Sequence, residues 1–225
     1  MPVASFRKRE MQKMKHTRKI LIIFCFVILL YLGLLAGWDN KGILFDEKLL
    51  LWISENQSPG ILSFMKVISF LGSELFLFPA VGLAIVYMLI KRYYYSACML
   101  LSASLGSWIA NHTLKQIFQR VRPEEFFKVQ EGGLSYPSGH SMVSMSMFLT
   151  IAFLIARKQE GKTDPKTPYA AAILYIAIMG LSRLSLGVHW PTDILGGYAG
   201  GYLYYLASAR LIDHQYNKKK SKALS

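Results

Sequence analysis

Long apolar runs are the feature that most constrains the fold of this 225-residue chain. A helix needs about 20 apolar residues to cross the hydrocarbon core of a bilayer, and a soluble domain of this length rarely carries several such runs. Here 53% of the residues are hydrophobic, and they fall in separate blocks along the chain. The sequence therefore predicts an all-α, polytopic membrane protein with one membrane domain.

We predict six transmembrane helices, which together form one domain over residues 20–212. The predicted spans are residues 20–37, 75–90, 94–118, 138–156, 169–186 and 191–212. Between the first two spans, residues 43–53 mix apolar and charged side chains, which suits a helix that lies in the membrane interface. Residues 60–71 are apolar but short, so we take them as interfacial too, with two short re-entrant helices over 60–90 as the alternative.

The positions of the basic residues predict how these helices are oriented. Lys and Arg number 26 against 13 Asp and Glu, a formal net charge of +13. With six spans, 18 of the 26 collect on one side, which includes the basic tails at residues 1–19 and 213–225. Lys and Arg accumulate on the cytoplasmic side of membrane proteins, so we expect both tails in the cytoplasm. The charge is then a topology signal, and we expect no nucleic acid partner.

A polar stretch between the fifth and sixth predicted spans places an arginine, a histidine and a carboxylate close together. It contains Arg183, His189 and Asp193, and Pro191 is well placed to start the next helix. From the first turn of that helix, the Asp193 carboxylate can reach an imidazole nitrogen of His189. Such a contact fixes the tautomer and leaves a lone pair on the other nitrogen, as an oriented nucleophile or base requires. Arg183 offers a planar fork of donors for phosphate oxygens.

Two further polar groups fall at span boundaries on the same, outer face. Lys115 and Arg122 lie seven residues apart at the end of the third span. Ser138 is a suitable N-cap for the fourth span, so that the N–H groups of Gly139 and His140 would point out of a helix end, ready for an anion. Each group alone is typical of an ordinary helix boundary. Their common location predicts one anion-binding site built from three segments.

The order and spacing of these residues resemble the three-part signature of the type 2 phosphatidic acid phosphatases. The matching segments are Lys115-x6-Arg122-Pro123, Pro137-Ser138-Gly139-His140 and Ser182-Arg183-x5-His189-x3-Asp193. Members of this family are integral-membrane lipid phosphatases with six membrane helices, and their pocket is related to that of vanadium haloperoxidases. Within the family, the sequence is most similar to bacterial phosphatases of phosphatidylglycerophosphate and undecaprenyl diphosphate.

The resemblance implies a role for each matching residue. His189 would attack phosphorus and form a phosphohistidine, Asp193 would hold its tautomer, and His140 would protonate the leaving group and then activate water. The implied phosphate-binding residues are Lys115, Arg122, Arg183, Ser138 and Gly139. Phosphoryl transfer needs mainly positioning and charge neutralisation, which three cations and a helix end can supply. Since no Asp/Glu cluster suited to Mg²⁺ lies beside the motifs, we expect no metal site and no cofactor.

These features predict metal-independent hydrolysis of a phosphorylated membrane lipid at the outer face of a bacterial cell membrane. The substrate would be phosphatidylglycerophosphate, undecaprenyl diphosphate or both. One alternative is a lipid phosphotransferase with the same site, and another is a transporter or scaffold that binds anionic lipids without turnover. A vanadate-dependent haloperoxidase would use the same pocket, but such enzymes are typically soluble, so the six predicted spans argue against it.

Overall fold

The computed structural model describes residues 2–39, 42–159, 164 and 166–222, and these residues form helices and connecting segments without a β-strand. The α-helices are α1 (Pro2–Asp39), α2 (Asp46–Asn56), α3 (Pro59–Leu71), α4 (Glu74–Ile90), α5 (Tyr94–Leu101), α6 (Ser107–Phe118), α7 (Gly139–Lys158), α8 (Lys166–Ser185) and α9 (Pro191–Lys222). A π-helical segment, Ser102–Gly106, joins α5 to α6, and a 3-10 turn, Glu124–Phe126, lies in the loop before α7. The predicted all-α fold is confirmed over these residues.

Three described helices are long and apolar enough to cross a membrane, namely His16–Trp38 of α1, α7 and α8. Helices α3 and α4 meet at an angle of 45° and count as a fourth span when they are taken as one broken span. The same bend is found in re-entrant pairs, the alternative considered for residues 60–90. The count of six spans and the interfacial position of α2 stay predictions.

Local signals in the sequence account for the ends of the helices that carry the motifs. Ser138 is the N-cap of α7, and its Oγ accepts a hydrogen bond from the Ser141 N–H at 3.4 Å. Pro191 is the first residue of α9, as predicted, where its missing N–H is no loss. Helix α6 ends at Phe118 because Gln119 adopts a left-handed backbone conformation with φ of 50°. Each motif segment therefore contains or adjoins a helix end.

Helix α7 packs against α6, α8 and α9, and α1 packs against α9. Glycines let α7 and α9 approach closely, as small residues do in membrane helix pairs. A Cβ on Gly197 would lie 2.7 Å from the Ser138 carbonyl oxygen, and one on Gly201 would overlap the Met142 carbonyl oxygen. This packing brings the amino end of α7 next to that of α9.

Apolar side chains cover much of the outside of the helices, and the interior contains polar side chains as well as an apolar core. Leu34, Leu83 and Leu174 are exposed on three different helices, which suits helices that face lipid. In contrast, Arg120 and Asp193 are buried near the amino ends of α7 and α9. A burial pattern of this kind indicates a polar site enclosed by an apolar helix bundle.

Candidate active site

The short segment between α8 and α9 holds His189 against the first turn of α9. Gly187 has φ of 66°, and a Cβ there would overlap the Phe126 carbonyl oxygen, so the segment turns tightly against the loop before α7. His189 is buried, and its Nδ1 lies 3.3 Å from Oδ2 of Asp193. This is the contact that a helix start at Pro191 predicts.

The second imidazole nitrogen of His189 faces a cation. Its Nε2 lies 3.2 Å from Nη1 of Arg122. Burial lowers the pKa of His189 well below its ordinary value, and the charges of Arg122, Lys115 and Arg183 lower that pKa further. Burial and the neighbouring cations therefore favour the neutral imidazole. When Asp193 accepts the proton of Nδ1–H, the lone pair lies on Nε2.

Three further donors hold the Asp193 carboxylate. The Ser135 hydroxyl and the Trp190 backbone N–H, the latter at 2.9 Å, donate to Oδ2. Arg120 Nη1 donates to Oδ1 at 2.8 Å. With donors on both oxygens, the carboxylate has one orientation. No motif in the sequence points to Ser135 or Arg120, which share only their place in the polar loop between α6 and α7.

Two of the three predicted cations donate hydrogen bonds that hold the loop between α6 and α7 against the site. Arg122 Nη1 donates to the Val188 carbonyl oxygen at 2.7 Å, which joins the loop to the segment that carries His189. Lys115, in the last turn of α6, donates from Nζ to the Leu134 carbonyl oxygen. The same side chains that are predicted to bind phosphate therefore also order the backbone around the site.

The third cation, Arg183 of α8, forms an ion pair with Glu131, whose carboxylate also lies near Arg122. Glu131 Oε2 lies 2.5 Å from Arg183 Nη2, and Glu131 Oε1 lies 3.9 Å from Arg122 Nη2. Arg183 is buried and also donates from Nη1 to the Ser69 hydroxyl. The Glu131 carboxylate thus occupies guanidinium N–H donors that an anionic ligand would use. No spacing in the sequence points to Glu131.

His140 lies in the first turn of α7 and lines the same cavity as His189. Its Nε2 is buried and has no hydrogen-bond partner among the described residues. A Cβ on Gly72 would lie 3.1 Å from the His140 ring, so the end of α3 closes over this side of the cavity. Buried polar groups nearly always have partners in folded proteins, and an unpartnered imidazole nitrogen at a cavity is suited to exchange a proton with a ligand.

The cavity has a volume of about 300 Å³ and is lined by both polar and apolar side chains. Its polar lining includes Lys115, Arg122, Glu131, Gly139, His140 and His189. Leu77 and Phe78 of α4 and Trp108 of α6 form the apolar wall. Trp108 is fixed because its Nε1 donates to Glu74 at 2.5 Å. The lining suits a phosphate group attached to the beginning of an apolar chain.

The other predicted site residues, Ser138, Arg183 and Asp193, lie outside this lining. The Ser138 hydroxyl caps α7, and the Ser138 N–H donates to the Asp193 carbonyl oxygen at 3.0 Å. Ser138 therefore joins the amino ends of α7 and α9 in this structure. The phosphate-binding roles of Ser138 and Arg183 stay predictions.

The chemistry available at the site is that of cations and imidazoles. Within residues 2–39, 42–159, 164 and 166–222, no group of three or more His, Cys, Asp or Glu side chains could hold a metal ion. Lys115, Arg122 and Arg183 can neutralise a phosphate, His189 can present a neutral nitrogen to phosphorus, and His140 can exchange a proton with the leaving oxygen.

Comparison with known proteins agrees with this geometry. The PAP2 superfamily matches residues 92–216, which contain all three motif segments. Phosphatidylglycerophosphatase B of Bacillus subtilis (strain 168) is 32% identical over 150 residues, or 66% of this chain and 74% of that protein. Undecaprenyl-diphosphatase of Sulfolobus acidocaldarius is 24% identical over 198 residues, or 86% of this chain and 90% of that protein.

A solved structure has the same fold. The crystal structure of a transmembrane PAP2-type phosphatidylglycerolphosphate phosphatase from Bacillus subtilis aligns with a TM-score of 0.75 and 25% sequence identity. The alignment covers 86% of this chain and 96% of that chain. The likeness therefore extends over most of both molecules, beyond the motif segments.

Proposed function

This chain belongs to the PAP2 superfamily and is a lipid phosphatase, and on that premise we propose that it hydrolyses phosphatidylglycerophosphate, undecaprenyl diphosphate or both. Two of its relatives are named for these activities. Both substrates are lipids that have long apolar chains and carry a terminal phosphate in the head group. The cavity supports this proposal, since its lining combines cations and imidazoles with the apolar side chains of Leu77, Phe78 and Trp108.

In the proposed reaction His189 is the nucleophile. The observation that carries this role is the buried His189–Asp193 contact of 3.3 Å, beside a cavity that contains a second histidine. Nε2 would form a bond to phosphorus while the bond from phosphorus to the leaving oxygen breaks. The imidazole ring gains positive charge in this step, and the Asp193 carboxylate stabilises that charge.

His140 is the proposed proton carrier of the reaction. Its unpartnered Nε2 would give a proton to the leaving oxygen and later take one from the water that attacks the phosphohistidine. Lys115, Arg122 and Arg183 would neutralise the phosphoryl oxygens throughout, because phosphoryl transfer depends mostly on positioning and electrostatic stabilisation. No step of this scheme uses a metal ion.

We further propose six membrane helices over residues 20–212, with both basic tails in the cytoplasm and the site at the outer face of a bacterial cell membrane. The apolar helices and the unequal distribution of 18 of the 26 Lys and Arg residues support this topology. Lys41 and Lys162, which enter that distribution, lie outside the described residues, as do residues 1 and 223–225 at the ends of the tails.

Phosphate release from a panel of substrates in the presence of EDTA tests the proposed function. We expect the purified protein in detergent micelles to release phosphate from phosphatidylglycerophosphate or undecaprenyl diphosphate with undiminished kcat/KM after EDTA treatment. We also expect kcat/KM to be lower for a soluble aryl phosphate, because that substrate lacks the tail that contacts the apolar wall. The measurement is inorganic phosphate released against time.

Two results of this panel would count against the proposal. An EDTA-treated protein that recovers activity only with Mg²⁺ would exclude a site made of cations and imidazoles alone. An absence of phosphate release from every lipid, by protein that binds those lipids, would favour the transporter or scaffold alternative. A preparation of His189→Ala made in parallel controls for contaminating phosphatases.

Replacing Glu131 with glutamine is expected to tighten the binding of phosphate. The Glu131 carboxylate holds Arg183 at 2.5 Å, so a substrate phosphate has to displace it. The side chain is 30% exposed, and we therefore expect only a two- to fivefold decrease in KM, about the worth of a partly exposed ion pair. The inhibition constant of inorganic phosphate should fall by a similar factor.

The matched control is Glu125→Gln, which removes the same charge from an exposed position in the same loop. This variant should leave KM and phosphate inhibition unchanged. An increase in KM for Glu131→Gln would instead mean that Glu131 orders the arginines for the substrate, and would exclude competition between Glu131 and phosphate.

A further inference from the structure

A buried arginine outside the three motif segments contacts the carboxylate that orients His189. Arg120 follows the left-handed turn at Gln119, and its side chain is 0% exposed. Its Nη1 lies 2.8 Å from Oδ1 of Asp193 and 2.7 Å from Oγ1 of Thr192. His189 meets the other oxygen, Oδ2. The imidazole and the guanidinium therefore hold the same carboxylate from its two ends.

A second buried carboxylate fixes this arginine. Asp46, the first residue of α2, is also 0% exposed, and its Oδ2 lies 2.7 Å from Arg120 Nη2. Asp46 also accepts hydrogen bonds from the Thr192 N–H at 2.8 Å and from the Thr192 hydroxyl at 2.7 Å. The Thr192 N–H is one of the backbone donors that a helix start leaves without an intrahelical partner. Asp46 thus caps α9 from a different helix.

From this geometry we propose that Arg120 and Asp46 are positioning residues, which hold Asp193 in the one orientation that serves His189. The inference rests on the proposed function. The side chains of both residues are 0% exposed and pair with each other, so neither is expected to touch the substrate. A planar guanidinium can hold Asp46 and Asp193 at once because its donors are fixed in a fork, whereas a lysine ammonium cannot reproduce that geometry.

The charges of the buried cluster formed by Asp46, Arg120 and Asp193 support this role. Asp46 and Asp193 are two buried carboxylates, and the Arg120 guanidinium lies between them, with both ion pairs shorter than 3 Å. An isolated carboxylate in such a place would be costly unless it is paired and hydrogen-bonded. Arg120 therefore favours the charged form of Asp193 and also fixes its orientation. Through Asp46, helix α2 also helps to position the site, although it lies far from the motif segments in the sequence.

The test is steady-state kinetics on a lipid phosphate with Arg120→Lys and Asp46→Asn. For Arg120→Lys we expect kcat to fall about 10- to 100-fold, as for outer hydrogen-bond partners of metal-binding side chains, and KM to stay within about twofold because the cavity lining is intact. Asp46→Asn keeps an acceptor for the Thr192 N–H, so its loss of kcat should be smaller. The matched control is Arg157→Lys, since Arg157 pairs with Asp213 at 3.5 Å, away from the site.

A double-mutant cycle separates positioning from a general structural role. If Arg120 acts through Asp193, then Arg120→Lys should lower kcat little or not at all when Asp193 is already Asn. Equal losses in both backgrounds would overturn the proposal, as would an unchanged kcat in Arg120→Lys. Size-exclusion profiles and thermal unfolding are measured for every variant, and failure of all of them to fold would assign the cluster to folding and overturn the positioning role.

The same series distinguishes this inference from the proposed function. If the unmodified protein releases no phosphate from a lipid, or if Asp193→Asn leaves kcat unchanged, the proposed function itself is wrong. If Asp193→Asn lowers kcat and Arg120→Lys does not, only the positioning role of Arg120 is wrong.

Discussion

His189→Ala is expected to abolish turnover, with a loss of about 10⁶-fold, the cost of removing the nucleophile in a well-studied hydrolase. The reason is that Nε2 of His189 is the atom proposed to bond to phosphorus, and no other described imidazole contacts Asp193. The variant should also form no phosphoenzyme. Substrate labelled in its terminal phosphate, quenched and analysed for alkali-stable phosphohistidine, provides the measurement.

His16→Ala is the matched control, because His16 is exposed on α1. It should keep full activity and a normal level of phosphoenzyme. Phosphohistidine that persists in His189→Ala would assign the nucleophile to another residue, and the proposed mechanism would then be wrong. Unchanged binding of substrate by His189→Ala would show that the loss lies in the chemical step.

His140→Ala is expected to reduce turnover of a lipid substrate by about 10²- to 10⁴-fold, the usual range for a general acid or base. The loss should depend on the leaving group. A lipid alkoxide needs a proton as it departs, whereas the anion of an activated aryl phosphate leaves without one. Rapid-quench measurement of the first step with both substrates checks this difference.

His140 is also proposed to activate water, which leads to a second expected result for His140→Ala. Without His140 the water that attacks the phosphohistidine lacks its base, so phosphoenzyme should accumulate when the aryl phosphate is the substrate. Equal losses with both substrates, without accumulation, would mean that His140 acts in binding and not in proton transfer. Ser141→Ala, in the same turn of α7, offers a comparison outside the cavity lining.

The sequence alone was sufficient for the all-α class, for the ends of α7 and α8 and for the local geometry of the motifs. Hydropathy identifies an apolar helix from its own residues, and α7 and α8 begin and end within a few residues of the predicted spans. The contact between His189 and Asp193 spans four residues of chain, so a proline at the start of α9 is enough to predict it. The N-cap role of Ser138 is local in the same sense.

The sequence was not sufficient for the bend between α3 and α4. Both segments are apolar, and the angle of 45° between them arises at Gly72 and Ser73, where the chain turns. The sequence therefore predicts a break between the two helices at this point, but it does not predict the angle between them. Helix α3 packs against α8, and in this position Gly72 lies over His140.

What only the tertiary structure decided is which distant polar residues support the site. Arg120 meets Asp46 across 74 residues of sequence, Ser135 meets Asp193 across 58, and Arg183 meets Glu131 across 52. Each of these residues is of a type that is common in loops and at membrane interfaces. A buried charge needs a partner, and the packing of whole helices decides which residues come close enough to serve as one. No local periodicity in the sequence encodes which residues these are. The sequence by itself therefore determined the chemistry of the motif segments, and the packing of the helices determined the carboxylates and donors that hold them in position.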